Sequence, residues 1–173
     1  MIFWEGFYDP HSSIKEFFVT VGTCHRCDDV IKRQSVGLVT EMTVDYVHFG
    51  SGLTYYTSVT ACNTAEFCTS AYSDGVIMDN SPPNVGVVTD GTSANDIEYQ
   101  SIRNWIGAKW HSFTDPQSGI SHYVWWAGTT PGGNDILPAK EVHLVEESTV
   151  YNFSQELPLS KRIFVTVRAY NKA

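Results

Sequence analysis

The chain has few basic residues and gathers none of them into a patch. It carries 11 Lys and Arg against 19 Asp and Glu, a formal net charge of −8 over 173 residues. The basic residues form nothing larger than pairs such as Lys32-Arg33 and Lys161-Arg162. Because binding to a phosphate backbone needs a concentrated basic face, we expect no nucleic-acid partner and interpret the acidity as a solvated surface.

Long apolar runs are also missing. No stretch reaches the roughly eighteen apolar residues that a membrane-spanning helix needs, so this segment is expected to make no membrane contact. The first residues lack the basic region and apolar core of a signal peptide. We therefore expect either a piece cut from a longer precursor or a cytosolic chain, and the cysteines bear on that choice.

Motifs for catalysis are absent as well. The six histidines are scattered without metal-type spacing, no Gly-x-Ser-x-Gly nucleophile motif is present, and no Gly-rich phosphate loop precedes a helix. The sequence therefore predicts a protein that is not an enzyme and that carries no cofactor.

What the chain does contain is an internal repeat. Residues 4–10, with the sequence WEGFYDP, return 106 positions later at 110–116 as WHSFTDP. Farther along the spacing is 108, and residues 61–65 return at 169–173. A drift of two residues over some sixty positions indicates one structural plan used twice, with a small difference in loop length.

Alternation of period two dominates both copies. In residues 55–62, Tyr, Thr, Val and Ala alternate with Tyr, Ser, Thr and Cys, and residues 163–170 repeat the pattern. Residues 14–21 and 120–127 form a second matching pair, and turn sequences such as Gly50-Ser51-Gly52 separate the runs. Short strands at regular spacing predict an all-β protein built of sandwiches.

These motifs resemble the fibronectin type III family. The resemblance lies in the order Trp, Ile-x-x-aromatic-x-x-x-x-Gly-Thr, Leu-x-Tyr-Tyr-x-x-Val-x-Ala-x-Asn and Pro-Pro, and it is closest to divergent tandem copies in large extracellular animal proteins. It implies two tandem immunoglobulin-like β-sandwiches, with Trp4 and Trp110 as anchors on the second strand and Tyr55 to Asn63 as the sixth. Ile163 stands where the family has a tyrosine, which puts the tyrosine corner of the second copy in doubt.

The resemblance also sets the expected domain limits. Residues 1–81 would form one domain that lacks its first strand but has a last strand around 71–78. Residues 82–173, after the linker at Pro82-Pro83, would form a second domain with a first strand around 84–90 and no last strand. We expect these open edges to be covered, either by continuation of the same polypeptide or by a neighbouring chain that adds a strand. Head-to-tail addition between identical chains would give a homo-polymer.

The four cysteines all fall in the first copy. Cys24 and Cys27 align with Thr130 and Gly133, which flank a β-turn in the second copy, and a turn brings its ends within reach of a disulfide. Cysteines on either side of the short loop between the sixth and last strands are also neighbours. We therefore favour two local disulfides, with a shared zinc ion that recruits His25, or free thiols, as the alternatives. The predicted pairs are Cys24–Cys27 and Cys62–Cys68.

Two further features concern modification and metal binding. Asn152-Phe153-Ser154 is the one glycosylation sequon and, together with paired cysteines, favours a secreted protein or an ectodomain. Aspartates near the junction of the copies could bind calcium through hard oxygen ligands, although Asp-Gly pairs are also ordinary turn sequences. These aspartates are Asp74, Asp79, Asp90 and Asp96.

Two functions remain open at this level. The first is a non-enzymatic extracellular structural or adhesion module, a part of a longer repeat array or filament, whose partners are other protein chains or adjacent repeats. The second is a receptor-type module that holds a protein or glycan with loops at one end of a sandwich. Strand alternation predicts that Trp126 and Tyr170 point outward, where they would contact a partner, while Trp125 points into the core.

Overall fold

The computed structural model describes residues 1–93, 95–143 and 147–173, in which the regular structure is entirely β. The chain divides into two compact units, Met1–Asn80 and Ser81–Ala173. The division falls one residue before the boundary expected from the sequence. No helix among the described residues has the length and apolar character needed to cross a membrane.

The first unit is built on one antiparallel sheet with the order β3-β2-β5-β6, and β7 also pairs with β5. The strands β1 and β4 form a separate two-stranded ladder. The strands of this unit are β1 (Ile2–Phe3), β2 (Ile14–Gly22), β3 (Ile31–Gly37), β4 (Glu41–Met42), β5 (Thr54–Asn63), β6 (Cys68–Tyr72) and β7 (Val76–Ile77).

The second unit has two three-stranded antiparallel sheets, with the orders β12-β9-β8 and β11-β10-β13. This arrangement is consistent with a β-sandwich. Its strands are β8 (Val87–Asp90), β9 (Trp105–His111), β10 (Ile120–Gly128), β11 (Leu137–Val142), β12 (Ser148–Asn152) and β13 (Phe164–Asn171).

Each core follows the period-two pattern of the sequence. Phe17, Val19 and Val21 of β2 are buried, as Tyr123, Trp125 and Ala127 of β10 are in the second unit. Trp4 packs edge-on against Phe17 with ring centroids 5.8 Å apart. Trp110 is fully buried beside Tyr123. The anchoring tryptophans therefore occupy both cores.

The secondary structure departs from the expected strand limits in three places. Trp4 directly follows β1 instead of lying in a strand, although its N–H still donates to Thr40 C=O at 3.1 Å, and the left-handed Gly6 (φ 80°) comes two residues later. The strand expected over 71–78 is split into β6 and β7 by Gly75, whose φ is 95°. The strand expected over 84–90 shortens to β8, and Asn84 makes only an isolated bridge to Thr114.

Candidate interaction surface

The turn after β2, and the matching turn after β10, are held by the same polar clamp. Asp29 accepts hydrogen bonds from the backbone N–H and the hydroxyl of Thr23, at 2.8 and 2.6 Å. Asp135 accepts the same pair from Thr129 at 2.9 and 2.7 Å. The Thr hydroxyl, followed by the Thr backbone N–H, lowers the pKa of each aspartate below its ordinary value.

A second clamp fixes the Asp-Pro turn against the end of the long strand. Asn63 donates its side-chain amide to Asp9 at 2.7 Å, and Asn171 donates to Asp115 at 3.2 Å. Asp9 also accepts from the backbone N–H groups of His11 and Ser12. Donation from Asn63, then from the Ser12 and His11 backbone, holds the pKa of Asp9 far below its usual range.

The first of these turns carries a disulfide in one unit only. Cys24 and Cys27 are bonded with their Cα atoms 5.2 Å apart, and Cys27 N–H donates to Cys24 C=O at 3.0 Å. In the second unit Gly133 N–H donates to Thr130 C=O at 2.9 Å without a covalent link. The turn therefore forms from backbone hydrogen bonding and the Thr–Asp clamp, and the disulfide is an addition.

The second disulfide joins β5 to β6. Cys62 and Cys68 are directly opposite in the antiparallel register, with Cα atoms 4.1 Å apart. The structure thus contains both pairs favoured by the sequence. At the place of Cys62 the second unit has Tyr170, whose ring stacks on His122 at 4.7 Å and 2°.

The tyrosine corner is present in the first unit. Tyr55 is buried, and its hydroxyl accepts a hydrogen bond from the backbone N–H of Gly50 at 2.7 Å. Ile163 replaces it in the second unit and packs, half-buried, against the core. The second unit therefore keeps an apolar residue at this position but has no hydroxyl there to bond the preceding loop.

The aspartates considered for calcium are divided between the units. Asp74 and Asp79 belong to the first, and Asp90 and Asp96 to the second. Asp90 N–H donates to Asp96 at 2.7 Å, while burial, followed by the charges of Asp96 and Glu98, raises the pKa of Asp90. Within the described ranges, no group of three or more His, Cys, Asp or Glu is arranged to hold a metal. The four cysteines are all consumed by disulfides.

The sequon lies at an accessible place. Asn152 is the last residue of β12, opposite Trp105, and its side chain is exposed. Attachment of a glycan to this side chain would not require opening the core.

An aromatic and cationic surface covers the outer side of β10 and β13. Trp126 is half-buried, Arg168 lies over its ring at 5.4 Å, and its indole N–H donates to Gly132 C=O at 3.0 Å. Tyr170 is 38% exposed on its stack with His122. Trp125, which directly precedes Trp126, is 2% exposed and faces the core. We name the set Trp126, Arg168, His122 and Tyr170 the outer face of the second unit.

A groove opens at one end of the second unit, beside the start of β13. Its volume is about 790 Å³, within the range of ligand-binding clefts. The walls are formed by the loop at 97–103, the loop at 157–163 and the ends of β8 and β9. The walls include the apolar Ile163, the basic Arg162 and the acidic Asp90.

Sequence reasoning identified Trp126 and Tyr170 but missed their neighbours His122 and Arg168. Strand alternation over residues 120–127 and 163–170 places these residues on the same side, so the signal was present in the repeat itself. The groove was missed because it depends on the paths of two loops, which strand alternation does not predict.

No family model matches this chain, and no curated protein matches it. The internal repeat is therefore the main source of comparison for the candidate surfaces.

Proposed function

We propose that the chain is a non-enzymatic extracellular structural or adhesion module, made of two fibronectin type III-like sandwiches that act as units of a repeat array or filament. The observation that carries the proposal is the repeat of the Thr–Asp and Asp–Asn clamps in both units. These clamps stabilise turns of the fold. A chain that repeats its turn-fixing residues while its outward residues differ is suited to a scaffold with variable contacts.

The disulfides support an extracellular location. Two disulfides are more typical of extracellular proteins, because the cytosol keeps thiols reduced. The exposed Asn152 would then serve as a glycosylation site on a secreted protein or an ectodomain. Partners would be other protein chains or adjacent repeats.

The extracellular location is tested by counting free thiols. Protein purified from its native source, alkylated without reduction and measured by mass spectrometry should carry no alkyl groups on its four cysteines. The same mass spectrum should show a glycan on the peptide that contains Asn152. Four alkylated cysteines would contradict an extracellular location.

Adhesion is tested on a coated surface. Animal cells should attach to the immobilised chain more than to albumin, and Trp126→Ala should reduce attachment while leaving the thermal unfolding midpoint within a few degrees. Leu38→Ala is a matched control, because Leu38 is an exposed apolar residue of the first unit. Equal attachment to the chain and to albumin would contradict an adhesive role, and unfolding of Trp126→Ala would contradict its outward placement.

A receptor-type binding module is the second candidate, and the groove favours it. Loops at one end of the second unit form the walls, which is where such modules hold ligands. Binding to a panel of immobilised peptides and glycans should then be lost in Arg162→Ala, whose side chain lines the groove, and retained in Leu38→Ala. Binding that is unaffected by Arg162→Ala would exclude the groove.

A further inference from the structure

The strand β12 is an edge strand inside the second unit. It pairs with β9 on one side, and no strand pairs with its other side in the part of the chain that the structure describes. The strands before and after it along the chain, β11 and β13, both belong to the other sheet. The open edge of β12 therefore follows from the topology of this unit.

The backbone groups that face this open edge can be assigned. Phe153 N–H donates across the ladder to Asn104 C=O at 2.7 Å. Hydrogen-bonded and non-bonded residues alternate along an antiparallel strand, so the odd-numbered residues of β12 bond to β9. The open edge carries the N–H and C=O groups of the even-numbered residues, which are Ser148, Val150 and Asn152.

The side chains of these three residues are exposed, and Val150 is 46% exposed. β12 contains no charged residue and no proline, the residues that commonly protect an edge strand from pairing. The other edge strand of its sheet, β8, contains Asp90, and the edge strand β11 of the other sheet contains Pro138, Lys140 and Glu141. β12 therefore lacks the usual protection of an edge.

The first copy has an acid in the corresponding stretch. At the repeat spacing of 106, residues 42–46 (MTVDY) align with residues 148–152 (STVYN). Asp45 thus stands at the place of Tyr151. The glycosylation sequon at Asn152 occurs in the copy whose stretch carries no charge.

Two copies of β12 can pair across this edge about a two-fold axis. With Val150 opposite Val150 of the second copy, Asn152 lies opposite Ser148, at a Cα distance of about 5.5 Å. The two exposed valines then pack side by side, which favours the pairing. A glycan on Asn152 would occupy the space beside Ser148 of the second copy and, by the symmetry, would do so at both ends of the joined strands.

We propose that an N-linked glycan on Asn152 covers the open edge of β12 and prevents two copies of the chain from pairing through it. Attachment forms a bond between Asn152 Nδ2 and C1 of the first sugar. The bond from C1 to the pyrophosphate of a lipid-linked oligosaccharide donor breaks, the pyrophosphate leaves with the electron pair, and the amide nitrogen loses one proton. The bulky, hydrated oligosaccharide excludes a second strand by its volume.

This inference rests on the proposed function, in which the chain is extracellular and Asn152 is glycosylated. It gives the glycan a specific role, which is to keep this edge unpaired so that contacts between chains form elsewhere.

The test compares the full chain, secreted with its glycan, with the variant Ser154→Ala, which removes the sequon and leaves β12 unchanged. The glycosylated chain should sediment as a monomer, whereas Ser154→Ala should self-associate as its concentration rises. Association should slow amide exchange at Ser148, Val150 and Asn152 at least about tenfold, a ratio equivalent to about 1.4 kcal/mol. Exchange at Tyr151 should change little, because its backbone groups already bond to β9.

Two further variants serve as controls. Ser154→Thr keeps the sequon, so this chain should carry the glycan and remain monomeric. Val150→Lys, added to Ser154→Ala, places a charge at the centre of the bare edge and should restore the monomer.

Four outcomes would overturn the proposal. The first is a Ser154→Ala chain that remains monomeric, and the second is a Ser154→Ala chain that associates without slower exchange at Val150. The third is a glycosylated chain that associates with Val150 protected, and the fourth is a secreted chain without a glycan on Asn152. None of these results alters the free-thiol count or the cell-attachment assay, so failure here is separable from failure of the proposed function.

Discussion

The strands β5 and β13 hold equivalent places in the two units but differ in what lies beside them. β5 is paired with β2 on one side and with β6 and β7 on the other, and Cys62–Cys68 fastens β6 to it. β13 is paired with β10 alone among the described residues, and Tyr170 replaces the cysteine. Buried residues and turn clamps match between the units, whereas edge residues differ. The two units therefore share their core positions and turn clamps and differ in the residues along this strand.

The turns after β2 and β10 also share a backbone conformation but differ in residue type. Arg26 in the first unit has a left-handed backbone with φ of 69°, and Gly132 at the matching place has φ of 76°. A non-glycine residue in that conformation is strained. The disulfide between Cys24 and Cys27, which flank Arg26, holds this strained turn closed. The second unit avoids the strain because it has glycine at the matching position.

Removing the core tryptophan of each unit should give the largest effect. Trp110→Ala is expected to destabilise the second unit by about 3–5 kcal/mol, the usual loss for a buried large aromatic residue. Trp4→Ala should lower stability less, because Trp4 is 6% exposed and its described core cluster is smaller. Urea unfolding with NMR signals read separately for each unit measures both losses. Equal losses would contradict the difference between the cores.

Removing the disulfide between β5 and β6 should cause the second-largest loss of stability. Cys62→Ser with Cys68→Ser is expected to destabilise the first unit by about 2 kcal/mol, the chain-entropy value for so short a loop, and to leave the second unit unchanged. The same urea experiment measures it, and Cys24→Ser with Cys27→Ser is the matched control at the other disulfide. A loss confined to the second unit would be incompatible with the pairing in the structure.

Exchanging the turn residue should have a smaller effect. Gly132→Ala is expected to destabilise the second unit by about 1–2 kcal/mol, since its Cβ meets no neighbour and only the left-handed backbone is strained. Adding Thr130→Cys and Gly133→Cys to form the disulfide of the first unit should recover part of that loss, because a Cβ on Gly133 would lie 3.0 Å from Thr130 C=O and 3.2 Å from Asp135 Oδ1. Thermal unfolding under oxidising and reducing conditions measures both variants, and no rescue under oxidising conditions would show that the turns are not equivalent.

The aspartate clamps should respond to acid alike in both units. Asp29 and Asp135 have lowered pKa values, so each contributes stability above the ordinary aspartate pKa of about 3.9 and loses it as the pH falls through the folded value. Stability should therefore decrease below about pH 4. Thr23→Val and Thr129→Val remove the main cause and should raise the pKa of the respective partner. Carboxyl carbon NMR titration measures this, and an unshifted aspartate in either wild-type unit would contradict the clamp.

The sequence predicted the interior of this protein better than its surface. The alternation of apolar and polar residues in 55–62 and 163–170 follows from the burial of one face of each strand, so it can be read directly from the sequence. The Thr–Asp clamp joins residues six apart. Its only trace in the sequence is that Thr23 and Asp29 recur 106 residues later as Thr129 and Asp135. Gly75 divides the strand expected over 71–78 because a positive φ interrupts pairing, and alternation alone does not report it. The groove depends on loop paths that carry no periodic signal.

The difference between the two strand edges is tested most directly by amide hydrogen exchange in the free chain. Val59 and Ala61 of β5 have partners in β6 and should exchange slowly, as should Thr166 and Arg168, whose backbone groups face β10. Val167 and Ala169 should exchange much faster than these four, giving β13 an alternating pattern that β5 lacks. Uniform slow exchange along β13 would show that its outer edge is paired and would contradict the account.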